Sequence, residues 1–211
     1  MRLYDYFRST AAYRVRIALN LKGLAYESVA VNLRDGEQRG GSYDAVNAQH
    51  LVPTLEHDGR RLTQSLAICE YLGEIAPEPA LLPDDAAGRA RVRAIAQVVA
   101  CDIHPVNNLR VLKYLTGELG VSDGDKLGWY RHWVHEGFTA LERMLADGPA
   151  GPYCHGDAVS LADVCLVPQV FNANRFEMDL AAYPRIRAIN EACLALPAFE
   201  RARPENQPDA I

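Results

Sequence analysis

The sequence lacks several features that would each have set its class. Its apolar runs fall short of the roughly 20 residues that a membrane-spanning helix needs, and its first ten residues contain no apolar signal-peptide core. Basic residues are in the minority, with 22 Lys and Arg against 27 Asp and Glu. Because nucleic acids bind surfaces of uncompensated positive charge, we expect a cytoplasmic protein that binds neither membranes nor nucleic acid.

Cysteine is sparse and shows no pairing pattern. Five cysteines are scattered along the 211 residues, and no CxxC motif occurs. This argues against a dithiol redox centre or a zinc knuckle, and buried structural thiols are expected instead. His132 and His135 have no third ligand in register, so we predict no metal site.

The first 78 residues alternate between strand and helix signals. RLYDY and YESVAV are typical of strands, and a helical pattern covers residues 12–22 between them. VPTLEHDGRRLT predicts two strands joined by a turn at Asp58 and Gly59, and a further helix begins at Ser65. This order predicts a small mixed sheet flanked by helices.

The rest of the chain predicts helices only. Residues 79–88 are rich in proline and acidic side chains and indicate a linker, and residues 89–211 form the predicted helical domain. Two apolar stripes at helical spacing comprise Val92, Ile95, Ala96, Val99 and Ile103, and Tyr130, Trp133, Val134, Phe138, Leu141 and Leu145. Ser160 and Asp163 have the spacing of a helix capping box, and one more helix is expected between Pro184 and Pro197.

Polar residues stand at two of the predicted helix starts. Ser9 and Thr10 follow the first strand, where free N–H groups and the helix dipole favour negative charge. A hydroxyl there can lower the pKa of a bound thiol, or it can serve only as an N-cap. Gln64 and Ser65 begin the second helix, whose N-terminus suits a carboxylate.

A proline opens the third strand. Pro53 cannot donate to the sheet, so it belongs at a turn or an edge. If the bond between Val52 and Pro53 is cis, the main chain of Val52 faces outward and can pair with an extended peptide.

Together these segments resemble the glutathione transferase family over the whole chain. FRSTAAYRVRIAL is similar to the Ser-Ser-Cys-x-Trp-Arg-Val-Arg-Ile-Ala-Leu signature of the zeta class, which contains the maleylacetoacetate and maleylpyruvate isomerases. CDIHPVNNLRVLKYL and LVPQVFNANRFEMDL resemble helical-domain motifs of that class. The resemblance implies a thioredoxin-like α/β domain over residues 1–78, an all-α domain over residues 89–211 and a homodimer.

The resemblance also assigns a glutathione site. Ser9, with Thr10 beside it, matches the hydroxyl that contacts the glutathione sulfur, and the main chain of Val52 matches the group that pairs with the cysteinyl part. Gln64 and Ser65 match the residues that bind the γ-glutamyl carboxylate. Further expected cofactor contacts are Gln38, His104 and Asn107. The signature cysteine is Ala11 here, so a cysteine at that position has no part in the chemistry.

The implied substrates are cis-enediones that carry two carboxylates. Reversible addition of a thiolate to the double bond permits rotation, so glutathione acts as an unconsumed nucleophile. Arginines bind carboxylates in a bidentate manner, and the candidates are Arg8, which also adjoins the catalytic hydroxyls, Arg110 and Arg175. For each of them, a surface ion pair is the alternative.

Asn108 and His104 are candidates to orient the substrate or to donate to the enolate, although His104 could equally pack at a helix break before Pro105. Arg14 and Arg16 are weaker candidates, because two residues apart on a helix they face different directions. For Arg14 a structural ion pair is the better expectation.

The sequence is compatible with functions other than isomerisation. A general glutathione transferase or dehalogenase would consume glutathione, whereas an isomerase would not. A non-catalytic module should have lost the hydroxyl and the Gln64–Ser65 pair, and this chain keeps both. Maleylacetoacetate is favoured over maleylpyruvate as substrate, because the helical-domain motifs resemble that branch more.

Overall fold

The computed structural model describes residues 1–149 and 151–210. The chain divides into two compact units. The first comprises Met1–Ala80 together with the segment from Leu194 onward, and the second comprises Leu81–Cys193. Within the described ranges, no helix combines the length and the apolar character needed to cross a bilayer.

The first unit contains a four-stranded mixed sheet. Its strands are β1 (Arg2–Asp5), β2 (Glu27–Ala30), β3 (Thr54–His57) and β4 (Arg60–Thr63). They lie in the order β2-β1-β3-β4, with β1 parallel to β2 and the other pairs antiparallel. Asp58 and Gly59 join β3 to β4 with φ values of 49° and 72°, the left-handed backbone that a two-residue hairpin favours. The predicted sheet and its turn are confirmed.

Three helices accompany this sheet. They are α1 (Thr10–Leu21), α2 (Gly41–Asp44) and α3 (Ser65–Ile75). α1 packs against α3, and Val15, Ile68 and Leu72 are fully buried. The predicted helices over residues 12–22 and from Ser65 are therefore confirmed, with α1 starting two residues earlier because Ser9 caps it.

The second unit is helical. Its helices are α4 (Ala86–Gln97), α5 (His104–Asn107), α6 (Leu109–Gly117), α7 (Asp123–Ala146), α8 (Leu161–Arg175) and α9 (Pro184–Leu194), and a π-helical segment, Val98–Ile103, joins α4 to α5. Both predicted apolar stripes are buried except for Trp133, which is 37% exposed. The prediction that Trp133 is buried was wrong, because the buried face of this helix is narrower than the apolar spacing of its sequence indicates.

The start of α8 contains the predicted capping box. An oxygen of Asp163 accepts hydrogen bonds from the Ser160 N–H at 2.8 Å and from the Ser160 hydroxyl at 2.7 Å. The other carboxylate oxygen accepts from the Cys154 N–H at 2.8 Å. Asp163 is fully buried, and it ties the loop before α8 to the helix.

The C-terminal segment packs with the first unit rather than with the helices that precede it. It contains α10 (Pro197–Ala202), which lies against α1. Arg16 donates to the Ala202 carbonyl and Asn20 to the Ala198 carbonyl, both at 3.0 Å. The sequence-based bounds placed all of residues 89–211 in the helical domain. They differ here because buried donors on α1 find their acceptors in this segment.

Candidate functional site

The hydroxyl of Ser9 lies at the N-terminus of α1. Its Oγ accepts a hydrogen bond from the Ala12 N–H at 3.2 Å, which makes Ser9 the N-cap of the helix. The hydroxyl hydrogen of Ser9 is not donated to any group in the described ranges. A hydroxyl can accept and donate at once, so the cap leaves its donor free for a ligand.

Two neighbours of Ser9 have unpartnered polar atoms. Thr10 is 2% exposed, and within the described chain its Oγ1 has no hydrogen-bond partner. Arg8 donates from Nη2 to the Tyr6 hydroxyl at 2.9 Å and stacks on Phe7, with 4.9 Å between the guanidinium carbon and the ring centroid. No acidic side chain among the described residues forms an ion pair with Arg8. Aromatic groups therefore hold the Arg8 guanidinium in place, and the guanidinium can still form an ion pair with an anionic ligand.

The peptide bond between Val52 and Pro53 is cis, which is the condition on which the predicted pairing of the Val52 main chain depends. The Leu51 carbonyl just before it accepts from the Tyr43 hydroxyl at 2.6 Å and from the Asn47 amide at 2.8 Å. These bonds fix the loop that leads into β3. Within the described ranges, the main chain of Val52 makes no hydrogen bond, so its N–H and C=O stay available.

Gln64 and Ser65 form the start of α3 in an unusual conformation. Gln64 has φ 69° and ψ 113°, a combination that costs a non-glycine residue about 1–3 kcal/mol. Its amide donates to Gln49 at 3.0 Å, so Gln49 is a neighbour that the sequence had not indicated. Such strain is typical of ligand-binding positions, and it brings Ser65 to the first position of α3.

Ser65 contacts a second buried residue, Arg14. Nη1 of Arg14 donates to the Ser65 Oγ at 3.1 Å. The structural ion pair expected for Arg14 was wrong, because no acidic side chain of the described chain pairs with it. Arg16, two residues on, instead forms the buried ion pair, with 2.7 Å between its Nη1 and an Asp5 carboxylate oxygen.

Gln38 lies in a 3₁₀ turn, Glu37–Arg39, between β2 and α2. Its Oε1 is buried and has no partner in the described part of the chain. An unpaired amide oxygen of this kind fits a ligand that supplies a donor.

Two predicted residues of the helical unit follow the π-helical segment. His104 begins α5 and is half-buried, and Asn107 ends it, donating from Nδ2 to the Tyr130 carbonyl at 3.4 Å. The Oδ1 of Asn107 is buried and unpartnered within the described ranges. π-Helical turns are frequent at functional sites, and this one directly precedes the short helix that contains both residues.

The remaining predicted residues lie at helix ends or on a helix surface. Asn108 is the N-cap of α6 and accepts from the Val111 N–H at 3.1 Å. Arg110, on α6, is exposed. Arg175 ends α8, donates to the Asn172 side-chain oxygen at 3.2 Å and stacks on Phe176 at 4.7 Å. Asn108 therefore has a structural role beside the one predicted for it.

Phe176 also stacks on Tyr130, a residue of the predicted apolar stripes. Its ring centroid is 3.8 Å from that of Tyr130, which is fully buried. Burial raises the pKa of the Tyr130 hydroxyl, and the charge of Arg175 opposes this rise only in part. The hydroxyl therefore stays protonated at neutral pH. Helical periodicity predicts that Tyr130 is buried, but it does not indicate that the charged side chain of Arg175 lies near its hydroxyl.

In the described residues, no group of three or more His, Cys, Asp or Glu side chains is arranged to hold a metal ion. Four of the cysteines are buried, and Cys101, in the π-helical segment, is exposed. The expectation that all five thiols are buried was wrong for Cys101, because this position of the segment faces outward.

The two units match two family models. Residues 8–75 match the Glutathione S-transferase N-terminal domain, and residues 134–189 match the Glutathione S-transferase C-terminal domain. With its thioredoxin-like first unit, helical second unit and hydroxyl at the start of α1, the chain belongs to the glutathione S-transferase family.

Its similar relatives narrow this class. A probable maleylacetoacetate isomerase of Vibrio cholerae is 54% identical over 99% of this chain and 97% of its own. The holo structure of a maleylpyruvate isomerase, described as a bacterial zeta-class glutathione S-transferase, is 50% identical over 100% of both chains, with a TM-score of 0.98. The maleylacetoacetate isomerase of Methylobacterium extorquens AM1, solved with bound malonate and glutathione, is 45% identical over 100% of both chains, with a TM-score of 0.97.

Proposed function

We propose that the protein is a glutathione-dependent cis–trans isomerase that converts maleylacetoacetate to fumarylacetoacetate in aromatic catabolism. The observation that carries this proposal is the free hydroxyl donor of Ser9 at the N-terminus of α1. Similarity over the whole chain to isomerases of this kind supports the choice of reaction.

The residues of the first unit fit glutathione. The tripeptide needs acceptors and donors for its main chain, and Val52, just before β3, has a main-chain N–H and C=O that bond to no described residue. It carries a γ-glutamyl carboxylate, which suits the N-terminus of α3 at Ser65. The unpaired Oε1 of Gln38 and Oγ1 of Thr10 add polar atoms that lack a partner in the described chain.

Bound glutathione would supply the thiolate whose reversible addition lets the double bond of the enedione rotate. Ser9 would donate a hydrogen bond to the sulfur, and with the α1 N-terminus it would favour the ionised thiol. Thr10 would stand as a second donor beside it.

Carboxylate recognition is the second task of the protein. Arg8, Arg110 and Arg175 are the proposed groups, because a planar guanidinium binds a carboxylate in a bidentate manner. Neither Arg8 nor Arg110 has a carboxylate partner among the ion pairs of the described residues. Stacking of Arg8 on Phe7 and of Arg175 on Phe176 holds two of the guanidinium groups in fixed planes, which favours bidentate binding. His104, Asn107 and Asn108 are proposed to orient the bound molecules.

Maleylpyruvate is the alternative substrate, since a similar relative carries that name. The two substrates differ by one methylene group, and a difference of that size is worth only about 1–3 kcal/mol of discrimination. We also propose that the protein forms a homodimer and works in the cytoplasm, as the family resemblance implies.

An ultraviolet assay of both cis substrates, with and without glutathione, tests the function. The isomerase should require glutathione and leave its concentration unchanged, with the higher kcat/KM for maleylacetoacetate. Equal rates in protein freed of glutathione would contradict the proposal. Net loss of glutathione with an α-haloacid, and no isomerisation, would favour the transferase or dehalogenase alternative.

A further inference from the structure

Arg14 is a buried cation without a counter-charge. Its side chain is 1% exposed, yet Nε and Nη2 have no hydrogen-bond partner in residues 1–149 and 151–210. Its one side-chain hydrogen bond in that part of the chain runs from Nη1 to the Ser65 Oγ, at 3.1 Å. A buried charge in this state is costly unless something else pairs with it.

Arg16, on the same helix, is a buried arginine whose guanidinium is paired within the fold. Its guanidinium donates to both carboxylate oxygens of Asp5 at 2.7 and 2.8 Å, to the Phe7 carbonyl at 2.9 Å and to the Ala202 carbonyl at 3.0 Å. All three guanidinium nitrogens of Arg16 therefore have hydrogen-bond partners and its charge is paired with Asp5, whereas the guanidinium of Arg14 has one neutral partner, Ser65, among the described residues. This contrast indicates that the counter-charge of Arg14 is supplied by an anionic ligand that binds nearby.

The hydrogen bond to Ser65 locates that ligand. Because the Ser65 Oγ accepts from Arg14, the hydroxyl hydrogen must point elsewhere. Ser65 is the first residue of α3, an eleven-residue helix whose N-terminal N–H groups favour an anion. Arg14 thus adds positive charge behind the same serine that the proposed function assigns to the γ-glutamyl carboxylate of glutathione.

We propose that Arg14 is a positioning residue for this carboxylate. It orients the Ser65 hydroxyl toward the ligand, and its charge is balanced only when the carboxylate is bound. This inference rests on the proposed function, since it takes glutathione as the ligand. It adds that recognition of the γ-glutamyl end depends on a buried residue that need not touch glutathione.

Two ligands and three variants test the proposal. The ligands are S-methylglutathione and its analogue with 4-aminobutyryl in place of γ-glutamyl, which lacks only the carboxylate in question. The variants are Arg14→Gln, Arg14→Lys and, as a matched control on the same helix, Asn20→Ala, which removes a hydrogen bond to Ala198. Binding is measured by isothermal titration calorimetry, so no readout depends on turnover or on the thiol.

The parent protein should prefer S-methylglutathione over the analogue. Arg14→Gln should weaken binding of S-methylglutathione by about tenfold to one-hundredfold, the range of a charge-assisted hydrogen bond, and change binding of the analogue less than about threefold. Arg14→Lys should keep much of the preference, and Asn20→Ala all of it. In a Ser65→Ala background, Arg14→Gln should cause a smaller further loss of affinity than it causes in the parent, because part of its effect acts through the Ser65 hydroxyl.

Thermal unfolding without ligand provides a second measurement. Because Arg14→Gln removes an unpaired buried charge, its midpoint should equal or exceed that of the parent, whereas an Arg14 needed by the fold would give a marked drop. An equal loss of affinity for both ligands, or an unchanged preference, would overturn the role of Arg14. If the parent binds neither ligand, the proposed function itself fails.

Discussion

Ser9 has two hydrogen-bonding tasks that use different parts of one hydroxyl. Its oxygen accepts from the Ala12 N–H and thereby caps α1, while its hydrogen is unused by any described residue. The cap and the proposed thiolate contact are therefore compatible rather than competing interpretations. A hydrogen bond to an ionised group is worth about 1.5–3 kcal/mol, enough to move a thiol pKa by about one to two units.

Ser9→Ala should raise the pKa of glutathione bound to the protein by about one to two units, because the sulfur anion loses its donor. The measurement is a titration of the thiolate absorbance in the ultraviolet. The same change should cost about 0.5–2 kcal/mol of stability through the lost cap.

Ser122→Ala separates these effects. Ser122 caps α7 by accepting from the Asp125 N–H at 3.1 Å, far along the chain from the proposed thiol contact. It should lower stability by a similar amount and leave the thiol titration of the parent unchanged. A thiol pKa that is the same in Ser9→Ala and in the parent would show that Ser9 does not activate sulfur.

At the scale of the elements, the start of α8 depends on one buried carboxylate. Asp163 accepts from the N–H groups of Ser160 and Cys154 and from the Ser160 hydroxyl. The helix it caps is buried along most of its length. A single side chain therefore connects the preceding loop, the cap and the core helix of the second unit.

Asp163→Ala should lower the free energy of unfolding by about 2–6 kcal/mol, since two buried N–H groups lose their acceptor at about 1–3 kcal/mol each. Urea unfolding followed by circular dichroism measures the change. Asp85→Ala is the matched control, because Asp85 caps α4 by accepting from the Gly88 N–H at 2.8 Å and has no second hydrogen bond with the described residues. It should cost about 1 kcal/mol, and an equal loss in the two variants would contradict the special role of Asp163.

Element types were predictable where the signal is local. The hairpin at Asp58 and Gly59 follows from turn chemistry, and the helix from Ser65 follows from the apolar spacing behind it, although Ser65 is its first residue and the N-cap, Gln64, makes no side-chain capping bond. The placement of α10 on α1 was not predictable, because it depends on which distant carbonyls accept from Arg16 and Asn20. The spacing of apolar residues predicts which face of a helix is buried, but it does not identify the element that packs against that face.

The candidate site was predictable to a similar extent. Sequence segments indicated Ser9, Val52 and Ser65, since each stands at a strand or helix start. They did not indicate the state of Arg14, because the absence of a counter-ion is a property of the packed core. In the same way, the strain at Gln64 appears only when the backbone of two adjoining elements is known.

For the molecule as a whole, buried ionisable groups make stability depend on alkaline pH. Burial is the main cause that raises the pKa of the Cys154 and Cys193 thiols, and the nearby charge of Asp163 raises both further. In the unfolded chain such thiols lose their protons near about pH 8.5. Above that pH the unfolded state binds fewer protons than the folded state, so the free energy of unfolding must fall as pH rises.

The parent protein should therefore lose stability between about pH 7.5 and about pH 9.5, with the two thiols together contributing about 2–3 kcal/mol of that loss. Urea unfolding at the two pH values, in reducing buffer, measures it. In a Cys154→Ala, Cys193→Ala double variant the loss should be smaller by this amount, even though the variant is less stable at both pH values because its core contains new cavities. Cys101→Ala removes an exposed thiol and should reproduce the pH dependence of the parent. If the double variant lost as much stability as the parent between these pH values, groups other than Cys154 and Cys193 would be responsible for the pH dependence. The two thiols are the only titratable groups in which these two proteins differ.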